Sequence, residues 1–236
     1  MNRRALLVAG GLGVATALVG CLDEPGADDG GTGADGGDGA DDRIVEEPRI
    51  DDPPYDIDTP EQPEPPDDAE WNDDYLGENM PTEPSLRVER LSVARGGIRD
   101  PIWDHADPDG DGYAARLLTD ESDIDAVFDT EAMGDDAVDR LRAVEFDDAV
   151  VVAVESGFGS GSVGHRWARA EADGSVIDLH GYYTTPYIQT DDITSRLSVL
   201  EIERPPEGPE YARVNLTVAE DRRVRFNSTE GVVITE

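Results

Sequence analysis

The stretch AVVVAV, from Ala149 to Val154, decides the fold of this 236-residue chain. Every position in it is apolar, and most of its side chains are β-branched valines. This composition is typical of a strand in the middle of a sheet that is covered on both faces. We therefore predict a central, buried strand at 149–154.

Further strand patterns lie on both sides of this stretch. Alternating apolar and polar residues predict a hairpin formed by 163–170 and 176–183, with its turn at Asp173-Gly174. The same alternation predicts other strands at 86–93, 114–118, 197–202, 212–218, 223–226 and 232–234. Most neighbours along the chain can pair directly, so we expect a mainly antiparallel sheet structure.

Two short helices are predicted before the central strand. Ser122 is expected to cap the first, whose apolar positions Ile124, Val127 and Phe128 share one face, and the second begins at Asp135 or Asp136. The predicted fold class is mainly β (α+β). It is an antiparallel β-sandwich or half-open barrel of eight or nine strands, with one or two short inserted helices.

An export signal is predicted at the N-terminus. Arg3 and Arg4 precede an apolar run of about 15 residues, which is shorter than the roughly 20 that a spanning helix needs. The start resembles a twin-arginine (Tat) signal, and Leu18-Val19-Gly20-Cys21 resembles the lipobox of lipoproteins. We expect residues 1–20 to be a signal peptide and Cys21 to be lipidated. The alternative is an ordinary cleaved signal, or an uncleaved anchor, with a chance cysteine.

The rest of the chain divides into a linker and a domain. Residues 21–84 are dominated by Asp, Gly and Pro, a composition that buries too little apolar area to fold, so a disordered, lipid-anchored linker is predicted. Trp71, Tyr75, Leu76 and Met80 interrupt this polarity and are expected to dock the end of the linker on the domain. Residues 85–236 are predicted to form one β-rich globular domain, long enough for a single core.

Charge narrows the functional classes. The net charge is −36, and all 19 basic residues are arginine. An acidic chain without lysine resembles the proteins of extreme halophiles, in which molar salt screens the repulsion between carboxylates. Nucleic-acid binding is disfavoured because no basic face is evident. The single cysteine is assigned to the lipid, so no disulfide is expected.

One acidic loop has the pattern of a calcium ligand set. Asp107, Asp109 and Asp111 occupy positions 1, 3 and 5 of the front half of an EF-hand loop, and Gly112 stands at position 6. The back half is missing, because position 12 is Leu118 instead of glutamate. The loop therefore predicts either a Ca²⁺ site or an acidic glycine turn without a ligand.

Two sequons, at Asn215 and Asn227, are candidate N-glycosylation sites. Val214, Leu216 and Val218 are expected to face inward from their strand, which would direct Asn215 outward. The triplet Arg222, Arg223 and Arg225 forms a small basic edge that we expect to pair with acidic neighbours across the last hairpin.

Catalytic motifs are weak. Gly159-Ser160-Gly161-Ser162-Val163-Gly164 matches a dinucleotide-binding fingerprint in spacing, but no crossover helix follows it, so a strand connection is favoured. His105, His165 and His180 lie in three different elements without ligand spacing. No set of serine, histidine and acid can be assigned, so we predict no catalytic residue, no cofactor apart from Ca²⁺, and no enzyme activity.

The run from Leu117 to Val218 resembles the C-terminal domain of the PrcB protease-complex subunit family. The resemblance covers about 100 residues. It implies a non-catalytic β domain that binds or stabilises another protein, and it implies no catalytic residues. The features that carry it are a short helical segment, an acidic lead into the central strand, a Gly-rich turn with a hairpin, a Thr-Thr-Pro-Tyr element and a later strand, at Ser122–Phe128, Glu145–Val154, 156–183, Thr184–Tyr187 and Leu197–Ile202.

These observations predict a cell-surface lipoprotein that displays a non-catalytic binding domain on a long acidic linker. The membrane is expected to be one partner, through the lipid on Cys21, and a surface protein the other. The alternative is a solute- or calcium-binding lipoprotein that uses the Asp107–Asp111 loop. A surface enzyme is the third hypothesis, and it would need a convergent pocket that the sequence does not indicate.

Overall fold

The computed structural model describes residues 43–63, 72–93, 95–107 and 110–235. The predicted signal peptide, Cys21, Trp71 and Asp109 lie outside these residues. The described residues belong to one compact unit, Asp41–Glu236. Within the described ranges, no helix combines the length and the apolar character that crossing a bilayer requires.

The described part of the chain forms ten strands, two short α-helices and four single-turn 3-10 helices. The strands are β1 (Ile50–Asp51), β2 (Val88–Leu91), β3 (Asp111–Leu118), β4 (Ala149–Gly159), β5 (His165–Asp173), β6 (Val176–Tyr183), β7 (Thr194–Glu203), β8 (Tyr211–Ala219), β9 (Arg222–Asn227) and β10 (Val232–Thr235). The α-helices are α1 (Ile124–Val127) and α2 (Asp135–Arg142). The 3-10 helices are Tyr75–Gly77, Arg95–Gly97, Ile102–Asp104 and Glu121–Asp123.

The strands form two five-stranded sheets. The first has the order β1-β9-β8-β6-β5, and the second has the order β10-β3-β4-β7-β2. We call them sheet A and sheet B. Every pairing is antiparallel except that of β6 with β8, which is parallel. One apolar core contains residues of both sheets, so the predicted mainly β fold is confirmed in its sandwich form.

Strand β4 lies at the centre of sheet B, between β3 and β7. Val150, Val152 and Val154 enter the core between the sheets, whereas Val151 and Ala153 enter a second core on the outer face of sheet B. Both faces of β4 are therefore covered, which explains its unbroken apolar sequence. The strand also continues to Gly159, the first residue of the predicted Gly-rich connection.

The second core is closed by the helical layer. Helix α2 buries Ala137, Val138 and Leu141, while aspartates in its first turn and arginines in its last turn match the helix dipole. The predicted cap at Ser122 is wrong. Asp120 accepts a hydrogen bond from the Ser122 backbone N–H, and Asp123 accepts one from the backbone N–H of Asp120, which makes a capping box around the 3-10 helix before α1.

The domain begins earlier in the chain than predicted. Ile50 and Asp51 form β1, which pairs with β9, and Tyr75 and Leu76 lie in the core between the sheets. The docking predicted for Tyr75, Leu76 and Met80 is thus confirmed. The prediction of a disordered linker is wrong for the described residues between 43 and 84, because ion pairs and backbone hydrogen bonds from distant strands hold this acidic segment in place.

Candidate functional site

Three loops meet at one end of the sandwich, which we call the loop end. They are 100–107, which precedes β3, 160–164, which joins β4 to β5, and 184–193, which joins β6 to β7. The sequence analysis treated these segments separately. The antiparallel pairing of β3 with β4 and of β4 with β7, and the joining of β4 to β5, bring them together.

Beneath these loops lies a buried network of polar side chains. A hydrogen bond of 2.6 Å joins Ser156 Oγ to His165 Nε2, and one of 2.7 Å joins Ser156 Oγ to Tyr183 Oη. His165 Nδ1 lies 3.0 Å from Ser198 Oγ. Ser156, His165 and Ser198 are at most 2% exposed. Buried polar groups of this kind fix the relative position of their strands, because each must keep its partner.

A buried arginine completes the network. The Arg196 guanidinium carbon lies 4.5 Å from the centre of the Tyr183 ring, a cation–π contact. Burial raises the pKa of Tyr183, so its phenol stays neutral near neutral pH. Gly157 has a φ of 49°, and a Cβ there would lie 2.8 Å from Arg196 Nη1. Only glycine fits at this bulge of β4.

The contact between Ser156 and His165 resembles a catalytic pair, and the spacing of the two residues in the sequence does not predict it. Serine hydroxyls bond both ring nitrogens of His165, and Ser156 is fully buried. A nucleophile needs access to a substrate, so this arrangement suits structural support better than catalysis. The short connection 160–164 between an apolar strand and His165 was the available signal in the sequence.

A buried ion pair holds loop 100–107 on sheet B. Arg116 Nη1 lies 3.1 Å from Glu155 Oε2, and Glu155 is 1% exposed. Arg116 also donates to the backbone carbonyl of Asp100. Burial raises the pKa of Glu155, and the charge of Arg116 opposes that rise. Loop 100–107 is therefore fixed at its first residue.

The other two loops are tied to each other by short polar side chains. Ser160 Oγ lies 2.6 Å from Ser162 Oγ and 2.9 Å from Thr190 Oγ1. The Gly161 backbone N–H donates to Asp192 at 2.9 Å. These bonds are local to the loops, so loop 184–193 is positioned by loop 160–164.

Apolar side chains remain uncovered on this support. Ile188 is 66% exposed, Ile193 is 65% exposed and Trp103 is 40% exposed. The Trp103 ring packs on Phe158 with their centres 4.3 Å apart. Phe158 pairs with Ser195 of β7, two residues after Ile193, so these side chains belong to one end of the molecule. These three exposed side chains, which we call the apolar group, lie at one end of a chain of net charge −36 and mark that end as a candidate contact surface.

The predicted calcium loop belongs to the same end. Asp107 is exposed, Asp109 lies outside the described residues, and Asp111 begins β3 and pairs with Arg222 at 3.1 Å. In the ranges that the structure describes, no group of three or more His, Cys, Asp or Glu side chains could hold a metal ion. The structure does not bring Asp107 and Asp111 together with a third acid, and the calcium site stays a prediction.

Both predicted glycosylation asparagines are buried. Asn215 points away from the core as expected, but the prediction that it is accessible is wrong, because the N-terminal segment and the neighbouring strands leave it 7% exposed. Asn227 is 0% exposed, and its amide nitrogen donates to Ile44 O and Glu46 Oε1, both at 2.8 Å. The folded domain presents neither amide to a modifying enzyme.

The basic edge is paired with acids, as predicted, although the partners lie outside the last hairpin. Arg222 pairs with Asp111 of β3. Arg223 and Arg225 both reach Asp51 of β1 at 2.6 Å. These two pairs hold residues 43–59, which we call the strap, on the outer face of sheet A.

The Gly-rich segment forms the end of β4 and a turn before β5, as the favoured prediction of a strand connection requires. Comparison with known proteins gives no match: no protein-family model, no curated protein and no solved structure matches this chain. The similarity to the PrcB family therefore stays a prediction, and the function must be argued from the site alone.

Proposed function

We propose that this protein is a lipid-anchored, cell-surface binding protein whose loop end contacts a protein partner. The sandwich is non-catalytic and serves as the rigid support for the loops. The exposed apolar group of Trp103, Ile188 and Ile193 carries this proposal. Loops held on a rigid β scaffold are a common place for binding residues.

The composition of the loop end suggests the chemistry of the partner. Large apolar side chains at the centre of an interface supply most of its binding energy, and a polar rim surrounds them. Here the rim is acidic, since Asp104, Asp107, Asp191 and Asp192 are exposed beside the apolar group. The partner surface should therefore offer an apolar patch with basic residues around it.

A pair of matched double variants tests this role. In Ile188→Asp/Ile193→Asp, two exposed isoleucines of the loop end become charged. In the control, Ile44→Asp/Val45→Asp, the changes fall near Thr229, at the opposite end of the sandwich, where Ile44 is 40% and Val45 is 60% exposed. Both variants add the same charge, so a general electrostatic effect would act equally on them.

The measurement is affinity capture from membranes of the source cells at their own salt concentration, with full-length protein. A partner enriched by the wild type and the control but lost with the loop-end variant supports the proposal. Equal recovery with all three proteins, or loss with the control alone, contradicts it.

The anchor is tested separately. Cys21→Ser removes the thioether that would carry the lipid, so we expect the protein to leave the membrane fraction or to keep its signal peptide. Fractionation and intact mass of the purified chain measure this. A Cys21→Ser chain that is processed and still membrane-bound would falsify the lipoprotein assignment.

A further inference from the structure

A small, partly enclosed cavity lies on the outer face of sheet A, away from the loop end. Its volume is about 200 Å³. Its floor includes Arg169 of β5, His180 of β6 and Arg223 of β9. Its roof includes Pro54 of the strap and Met80, which is 7% exposed. The cavity exists because the strap and the segment around Met80 fold over a sheet face that would otherwise be open.

The roof is held by named contacts. Tyr55 Oη lies 2.7 Å from Thr217 Oγ1 on the floor. Asn79 donates to the backbone carbonyl of Asp56 at 3.0 Å, and Arg169 donates to that of Pro81 at 2.6 Å. The strap, the segment around Met80 and the sheet are therefore linked to one another around the cavity.

The floor offers arginine donors, although each arginine is also paired with a carboxylate. Two arginines line the cavity, Arg169 and Arg223, whereas no aspartate or glutamate is among its described lining residues. Their carboxylate partners, Glu171 and Asp51, lie outside the lining. In the described part of the chain, Nη2 of Arg169 and Nη1 of Arg223 make no hydrogen bond, so each arginine keeps a free donor.

The remaining floor groups are neutral donors and acceptors. Burial, followed by the charge of Arg169, lowers the pKa of His180 to about 4, so its imidazole is uncharged at neutral pH. Toward the described residues, the Asn215 amide makes only long hydrogen bonds, of 3.4 and 3.5 Å. These groups can therefore accept a new partner without giving up a strong one.

The roof contributes apolar surface, through Pro54, Met80 and Pro81. A free phosphate or sulfate would gain nothing from such a roof, whereas a molecule with one charged end and one apolar end matches both sides. The volume is below the roughly 300–1,000 Å³ of pockets that hold drug-sized ligands, so the occupant is small.

We propose that this cavity binds a small monocarboxylate with a short apolar chain. The carboxylate would bind Arg169 and Arg223, and the chain would pack on Pro54 and Met80. One hydrogen bond from the free nitrogen of each arginine, to one or both carboxylate oxygens, would orient the ligand. Arg169, His180, Asn215 and Arg223 also line an open cleft that adjoins the cavity. The cleft connects the floor to solvent, and its other lining residues are mostly ion-paired acids and arginines, among them Glu46, Asp178 and Arg213.

The methyl group of Met80 can report on ligand binding in the cavity by NMR. The chain has three methionines, of which Met80 lines the cavity and Met133 lies in the core beneath the helices. Butyrate is titrated into full-length protein labelled with ¹³C-methyl methionine at constant salt. We expect a saturable shift of the Met80 resonance in the millimolar range and no shift of Met133. Butyramide, which has the same chain without the charge, should leave Met80 unchanged.

Two variants on β5 test whether butyrate binding requires the charge of Arg169. Arg169→Met removes the cavity arginine, and we expect at least a tenfold loss of butyrate affinity. Arg166→Met makes the same change on β5, at a side chain 54% exposed that does not line the cavity, and should bind butyrate as the wild type does. Thermal unfolding establishes that both variants fold.

Three results would overturn the proposal. They are a Met80 resonance that butyrate does not move, equal shifts of Met80 and Met133, and an equal response to butyramide. A Met80 shift produced by sodium chloride alone would assign the cavity to simple anions instead. None of these results bears on the loop end, since the two sites share no residue.

Discussion

The loop end and the strapped face of sheet A are built in opposite ways. At the loop end, neutral hydroxyls, an imidazole and a phenol bond one another inside the sandwich, and apolar side chains stay exposed. On the strapped face, arginine–carboxylate pairs lie outside the core and hold a polar segment over the sheet. Buried hydrogen bonds between the sheets therefore hold the loop end, which we call the internal support. Ion pairs on the outer face of sheet A hold the strap, which we call the external support.

The comparison shows which acidic side chains stabilise the fold. The strap supplies Glu46 and Asp51 to the arginines of sheet A, so part of the negative charge of the chain is structural. The loop end uses exposed acids only around its apolar group. Salt should therefore influence the strap ion pairs more than the buried hydroxyl network.

The largest expected effect is at the internal support. His165→Leu keeps much of the side-chain volume but leaves Ser156 and Ser198 without their ring partner. We expect a loss of about 2–4 kcal/mol in the free energy of unfolding, because the buried Ser198 hydroxyl loses its bond to His165 and the Ser156 hydroxyl is left with its bond to Tyr183. Denaturant unfolding at fixed salt measures it, with the exposed His105→Leu as control. A loss no greater than that of the control would show that the buried network does not stabilise the fold.

The next effect is at the external support. Asp51→Asn takes away the carboxylate shared by Arg223 and Arg225, so we expect a loss of about 1–3 kcal/mol at neutral pH. The neighbouring exposed Asp52→Asn should change little. Hydrogen exchange of the Arg225 amide, which donates to Arg49 of the strap, should speed up in Asp51→Asn alone. Unchanged exchange would show that the pairs do not hold the strap.

The pH dependence of that variant follows from the pKa of Asp51. The hydrogen bond from Arg223 lowers the pKa of Asp51 in the folded protein below its ordinary value. Its stabilising effect is therefore present above about pH 4 and is lost as the pH falls through the folded pKa. The stability difference between the wild type and Asp51→Asn should shrink on acidification, and a difference that grows would contradict the assignment.

A smaller effect is expected from His180. Its pKa is lowered to about 4, first by burial and then by Arg169, whereas the unfolded chain titrates near 6.5. Above about pH 6.5, His180 is neutral in both states and does not reduce the free energy of unfolding. As the pH falls from there to about 4, the free energy of unfolding decreases, because the unfolded state takes up the proton first. His180→Gln should remove about 1–2 kcal/mol of this pH-dependent loss. The His105→Gln control should retain it.

The smallest effect on stability is expected at the apolar group of the loop end. Ile188 and Ile193 are two-thirds exposed, so their change to aspartate should alter the free energy of unfolding by no more than about 0.5 kcal/mol each. Thermal unfolding of the double variant measures this. A large loss would mean that the isoleucines pack within the fold, and their exposure would then not indicate a binding role.

The sequence predicts the sandwich because local pattern determines it. The valines of β4 and the alternation of β5 to β9 are legible within a few residues. The turn after Asp173 is equally local, since Gly174 adopts a φ of 60°. The helical layer follows from the spacing of Val138 and Leu141.

The strap could not be predicted in this way. Its strand, β1, has two residues, and its partners Arg223 and Arg225 lie more than 170 positions away in the chain. An acidic, Pro-rich segment is typical of a disordered linker until those partners are known. Likewise, the Gly-rich connection is legible in the sequence, but the contacts that unite it with loops 100–107 and 184–193 depend on the pairing of distant strands.

Site-specific photo-cross-linking tests the central claim most directly. A photoreactive amino acid replaces Ile188 at the loop end in one full-length protein and Val45 beside the β9–β10 turn in another. Both are irradiated on intact membranes at the salt concentration of the cell. We expect a discrete protein adduct from position 188 and none from position 45. An adduct from position 45 alone, or the same adducts from both positions, would contradict this expectation.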